Sequence, residues 1–187
     1  ASASGIASHA MLSGVDFAAT AQSPSSGVVL GSAGATTLTA THGSIAATDL
    51  LSAGNLTASA VQDLSYETLQ SNGDATLSAT AGSVSLDKTT RAIGNISLTA
   101  TSVDLSNGRS GVATSGTLTV NANTADFSNS TLTLGGLDAK LTGVVDISGA
   151  KISTVATSGG SGDITIKALS ATTSSSTSLL AEHNLNL

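Results

Sequence analysis

The sequence predicts an all-β chain, a right-handed parallel β-helix (β-solenoid) of about eight coils, each of roughly 20 residues. Three observations predict it. Large side chains are almost absent, while Ser, Thr, Ala, Gly and small aliphatics abound. A short segment of alternating apolar and polar residues recurs at a nearly constant step. That segment ends almost every time in alanine.

Aromatics make up 2% of the 187 residues, with no Trp, one Tyr (Tyr66) and two Phe (Phe17 and Phe127). Charged residues are 10%, against roughly 25% in an ordinary globular domain. Such a chain cannot fill a thick core, but it can pack in thin layers. Disorder is the competing reading of a Ser- and Gly-rich composition. It fits poorly, because 40% of residues are hydrophobic, mean hydropathy is +0.28, and Leu, Val and Ile return at regular intervals.

The repeats begin at Ser13, Gly34, Gly54, Gly73, Gly94, Gly116, Gly135 and Gly162, with steps of 21, 20, 19, 21, 22, 19 and 27 residues. Residues two, four and six past each start are mostly apolar, as in Val15, Phe17 and Ala19, or Leu56, Ala58 and Ala60, or Ile96, Leu98 and Ala100. Period-two alternation marks a strand with one buried face. The last column reads Ala19, Ala40, Ala60, Ala79, Ala100, Ala122, Leu141 and Ala168. A uniform small residue at a strand end predicts a corner where the interior narrows. The Gly before each strand predicts the preceding corner, since Gly accepts positive φ.

A second alternating segment follows in each repeat, as in Ile45 and Ala47, Leu64 and Tyr66, Val84 and Leu86, Val103 and Leu105, Ala125 and Phe127, and Val145 and Ile147. A third and weaker one is carried by Val28 and Leu30, Leu132 and Leu134, and Ile152 and Val155. Two or three short strands per repeat make one coil, stacked at the strand spacing of about 4.8 Å. Eight such coils form a rod of roughly 40 Å. The 27-residue step contains Thr157 to Gly162, expected to bulge from one coil as a loop. A leucine-rich repeat has a similar period, but its Leu and Asn pattern is missing. Residues 1–12 match no repeat and are expected to be a cloning remnant or linker; residues 13–187 form the repeat segment.

Composition also excludes functions. With a net charge of −6 and six scattered Lys and Arg, nucleic acid and anionic membranes are poor partners. No apolar run approaches the roughly 18 residues of a spanning helix, so no membrane insertion is expected, and no signal peptide is visible. The absence of Cys removes disulfides, thiolate metal sites and Cys nucleophiles together. It suits a protein exported unfolded.

Little points to chemistry. His9, His42 and His183 lie in unrelated positions, without metal-ligand spacing. Gly159 to Asp163 matches a calcium β-roll repeat once and partially, and reads as a turn before a strand. Asp104, Asp126 and Asp146 recur at equivalent outward places, which predicts an acidic column that side-chain spread, solvent or a cation must accommodate. A solvated stripe is favoured over a catalytic carboxylate set of the glycan-cleaving kind. No cofactor, no metal and no enzymatic activity are expected.

The outward residues Thr37, Thr39, Thr76, Ser78, Ser97, Thr99, Thr117 and Thr119 predict a polar ladder on one face. Ordinary solvated β-surface is its first reading. Contact with a host-cell glycan or receptor is the second, and ice binding the third, although Asn121, Lys140 and Lys167 interrupt the array. Three glycosylation sequons, at Asn55, Asn95 and Asn129, are common by chance in so Ser- and Thr-rich a chain.

Segments such as Gly94-Asn-Ile-Ser-Leu-Thr-Ala100, Gly54-Asn-Leu-Thr-Ala58 and Gly162-Asp-Ile-Thr-Ile-Lys-Ala168 resemble the repeats of filamentous-haemagglutinin-like exoproteins. These are the secreted partners of bacterial two-partner secretion systems. The resemblance spans about residues 13 to 187. It implies a long right-handed β-helix, exported through an outer-membrane transporter partner to the bacterial cell surface. There such proteins act as virulence-associated adhesins in cell adhesion, as biofilm matrix proteins, or as the stalks of contact-dependent toxins. The family's secretion domain carries Asn-Pro motifs, whereas the single proline here, Pro24, follows Ser23. The chain therefore reads as an interior shaft piece, expected to be monomeric.

Overall fold

The structure is a computed structural model that describes residues 10–12, 17–21, 29–32, 34–106 and 111–187. Among these residues there is no helix, and every strand pairing between named strands is parallel. The chain winds as a β-solenoid of about seven turns among the described residues.

Each coil contributes to three parallel sheets. The first sheet stacks Thr36–Ala40, Leu56–Ala60, Ala75–Ala79, Ile96–Thr99, the second half of Gly111–Ala122, the second half of Thr131–Leu141, Ile164–Lys167 and Leu185–Asn186. The second sheet stacks residues 45–47, 64–66 and 83–86 on Ser102–Asp104, Thr124–Asp126, Val144–Asp146 and Ser170–Thr172. The third sheet carries residues 49–52, 68–71, 89–92, 111–114 and 131–134, then Lys151–Thr154 and Ser178–Leu180.

The alternation sets the inward face as expected. Leu98 stacks between Leu77 and Val120, and all three are fully buried. On the second sheet Val84, Val103, Ala125 and Val145 form one column. Tyr66 lies between Ala47 and Leu86. The corner alanines Ala40, Ala60, Ala79 and Ala122 are buried where the first sheet ends. Each inward side chain meets its counterparts one coil above and one below, so a thin layer of Leu, Val, Ile and Ala is sufficient.

Four expectations change. The first repeat is shifted by two residues: Phe17 pairs with Thr36 and Ala19 with Leu38, so Ala21 takes the place expected for Ala19. A two-residue slip keeps the same face inward, and alternation alone cannot detect it. On the third sheet Thr154 sits over Leu134, while Val155 is 55% exposed. That sheet is also fuller than its weak pattern suggested, with Leu50, Leu69, Val112, Leu132 and Ile152 buried in it. Val28 lies outside the described residues.

The fourth change concerns the corner glycines. Among described glycines only Gly149 and Gly162 have positive φ. The opening glycines Gly73, Gly94, Gly116 and Gly135 are favoured by close approach instead. A Cβ at Gly73 would stand 2.1 Å from Asn55 Oδ1, and one at Gly94 2.1 Å from Asp74 Oδ1.

The corner between the third and first sheets is closed by hydroxyls buried in the wall. Ser52, Ser71, Ala92, Thr114, Leu134 and Thr154 form one column, and four of these six carry a hydroxyl. Ser52 Oγ donates to the Gly34 carbonyl at 3.0 Å, Ser71 Oγ to that of Gly54 at 2.9 Å, and Thr154 Oγ1 to that of Gly162 at 2.6 Å. Thr114 Oγ1 donates to the Gly94 carbonyl in the same way. At Gly34, Gly54 and Gly162 they add a second donor to carbonyls that also accept the N–H of Gly54, Gly73 and His183 from the next coil.

Two buried hydroxyls, Tyr66 Oη and Thr36 Oγ1, have no partner. Burial pushes the Tyr66 phenol well above its ordinary range. An unpaired buried hydroxyl costs about 1–3 kcal/mol, so Tyr66→Phe is expected to stabilise the chain by about 1 kcal/mol. A rise in the urea midpoint checks this. A fall would mean that the phenol has a partner in solution.

Candidate functional site

The outward face of the first sheet carries the residues expected to form a ladder. Pairing places Thr37, Thr57, Thr76, Ser97 and Thr119 in one row. A second row holds Thr39, Ser59, Ser78 and Thr99. All are exposed or half-buried. Their hydroxyls therefore form a grid of about 4.8 Å between coils and about 7 Å along each strand. The rows end where charge enters. Thr119 pairs with Asp138, and Thr99 with Asn121, which pairs with Lys140 and then Lys167. Lys140 donates to Asp138 at 2.7 Å.

Thr117 does not belong to these rows. It pairs with Gly136, two positions nearer the corner, and its N–H donates to Asn95 Oδ1 at 2.9 Å. It ends a ladder that the alternation did not announce. Asn55 Oδ1 accepts from the Asp74 N–H at 3.0 Å, and Asp74 Oδ1 from the Asn95 N–H at 2.7 Å. Asp163 repeats the motif with Asn184, whose N–H and Nδ2 donate at 3.0 and 2.8 Å. The signal was in the sequence: Asn or Asp follows the glycine at positions 55, 74, 95 and 163. Sequons at Asn55 and Asn95 thus coincide with corner-locking side chains.

The acidic column forms as expected. Asp104 pairs with Asp126, and Asp126 with Asp146. Each carboxylate is held locally by the N–H two residues on: Ser106 to Asp104, Ser128 to Asp126 and Ser148 to Asp146, all at 2.8 Å. These Asx turns give the stacked charges a partner of their own, so no cation is required to explain them.

Among the described residues no group of three or more His, Cys, Asp or Glu could hold a metal ion. His42 and His183 are both exposed. His42 Nδ1 lies 3.0 Å from Thr41 Oγ1, and His183 Nδ1 lies 2.7 Å from the Ser161 carbonyl; His9 lies outside the described residues. No described helix is long and apolar enough to cross a membrane.

Two aspartates are held below the usual carboxylate range. The Ser83 N–H and hydroxyl donate to Asp63, both at 2.8 Å, and this lowers its pKa. Asn184 and Ser161 do the same for Asp163. A lowered folded-state pKa gives stability that is present above the ordinary value near 3.8 and lost as pH falls through the folded value. Stability should therefore hold from pH 7 to about 5 and decline below about 4. Asp63→Asn should flatten that acid decline in urea titrations, and an unchanged decline would locate its source elsewhere.

The 27-residue repeat makes the one deep departure from regularity among the described coils. Thr157 and Gly160 form an antiparallel bridge, and Gly116 pairs with Gly159. Thr157 Oγ1 donates to the Ser115 carbonyl, and the Gly162 N–H to that of Gly135 at 2.7 Å. The expected loop therefore folds back over the preceding coils. Beside it runs an open trough of about 480 Å³, bordered by Gln70, Arg91, Ile93, Ser115, Val155 and Thr157.

No family model, curated protein or solved structure matches the chain.

Proposed function

We propose that the chain is a shaft segment of a large secreted bacterial surface exoprotein of the filamentous-haemagglutinin-like kind. It serves as an adhesin or as the stalk of a contact-dependent toxin, and an outer-membrane transporter partner exports it. The observation that carries this reading is the parallel coil-on-coil pairing that runs through the described residues from Phe17 to Asn186, with alanine at the first-sheet corner of most coils. Such an array adds length at about 4.8 Å per coil and buries only small and medium side chains. A chain without Cys forms no disulfide that would obstruct passage through a transporter.

A second reading, a glycan- or receptor-binding module, draws support from the uncharged Thr and Ser rows over consecutive coils. One experiment separates the two. The chain is fused behind a two-partner secretion domain and expressed with the matching transporter. Protease access on intact cells then reports export. Binding to epithelial cells and to a glycan array is measured against a shaft segment of equal length from another such exoprotein. Export with no binding above that control supports the shaft. Selective binding that Thr76→Lys abolishes supports the module. Retention inside the cell overturns the exoprotein reading.

A further inference from the structure

We propose that the trough beside the loop is a binding site for an extended segment of a partner protein that presents a carboxylate next to an apolar side chain. The site goes beyond the shaft reading and does not depend on it. One end of its lining, Val155 and Thr157, comes from the irregular repeat, and the rest from the coils before it. Val155 follows the inward Thr154 and stands outward at the corner, 55% exposed, and three coils away along the same corner column Ile93 is 62% exposed. The floor between them is low, because Ala113, Ser115 and Gly135 occupy it.

Charge selects the ligand. The chain has 12 Asp and Glu against 6 Lys and Arg, yet no carboxylate borders the trough. Arg91 lies at its edge, exposed, and takes part in neither of the ion pairs among the described residues. An unpaired guanidinium offers forked donors to a carboxylate, and Gln70 beside it on the sheet adds an amide. No aromatic side chain borders the trough, so it has no platform on which a sugar ring could stack, whereas two exposed aliphatics suit a Leu, Ile or Phe side chain. The trough crosses coils from Gln70 to Val155, four coil spacings or about 19 Å, the reach of roughly six extended residues.

The test is an array of immobilised hexapeptides in which Glu and Leu occupy every pair of positions in a Ser-Gly background, probed with the labelled chain. An array of uronic-acid oligosaccharides is run in parallel. Peptides with Glu and Leu close together should be retained. Arg91→Ser should weaken retention about tenfold and Val155→Ser about threefold, while Thr76→Lys on the first sheet leaves it unchanged. Arg91 and Val155 both point outward, so the variants should melt with the parent, and a melting curve establishes that each is folded. Retention of no peptide, equal retention by Arg91→Ser, or Arg91-dependent binding of the oligosaccharides alone would overturn the proposal.

Discussion

Leu98→Asp should destabilise the chain by about 4 kcal/mol, whereas its neighbour Thr99→Asp should change stability by less than about 0.5 kcal/mol. Leu98 is fully buried between Leu77 and Val120, which are fully buried themselves. A carboxylate there loses its hydration and gains no partner. It must either ionise in an apolar layer or bind a proton. The removed Leu also forfeits about 2–3 kcal/mol of burial. Thr99 points the other way on the same strand and is exposed; its coil neighbours are Ser78 and Asn121, so a charge meets water and no like charge. Urea unfolding of the two variants checks the register in one experiment. Because each coil is supported only by its neighbours, the effect of Leu98→Asp should concentrate in the adjacent coils. Hydrogen exchange should show protection lost first around Leu77 and Val120. Equal effects at the two sites would refute the assigned inward face.

The contrast shows what was legible in the sequence. A period of two says which residues share a face, and a uniform Ala column says where the strand ends. Both are properties of one chain segment; the alternation holds in the first and second sheets, and the Ala column in the first. The slip of Phe17 from Leu38 to Thr36 was illegible because either register buries the same set. The third sheet was faint because its corner column mixes Ser52, Ser71 and Thr114 with Ala92 and Leu134. A buried hydroxyl reads as outward until its carbonyl partner is known. Likewise, no alternation could reveal that Asn55 reaches the backbone of the next coil. The outward rows were legible in all but Thr117, which stands one residue past Gly116, over Asn95, and so belongs to the corner ladder. The trough was not, because it depends on where a loop lies against coils far from it in sequence.

Gly135→Ala should destabilise by about 3 kcal/mol, and Gly111→Ala should be neutral or stabilise by up to about 0.5 kcal/mol. Both replace hydrogen by methyl on a third-to-first-sheet strand, so composition cannot distinguish them. At Gly135 a Cβ would stand 2.1 Å from the Ser115 carbonyl oxygen, 2.7 Å from that of Gly116 and 2.8 Å from the Ser115 carbonyl carbon. All three are backbone atoms, and no side-chain rotation relieves the clash. The other side is closed as well, because a Cβ at Gly160 would lie 2.3 Å from the Gly135 carbonyl carbon. Gly135 is thus held between one coil and the folded-back loop, and its carbonyl accepts the Gly162 N–H at 2.7 Å. Relief requires either separating two coils, which lengthens ladder hydrogen bonds, or releasing the loop. At Gly111 nothing lies within 4 Å of the added carbon, and the methyl group mainly narrows the unfolded ensemble. Urea midpoints of the two variants measure the difference. Peptide retention on the array then shows which route relief takes. If the loop lifts, the wall bearing Val155 moves and retention falls. If the coils separate instead, stability falls while retention by the folded fraction persists.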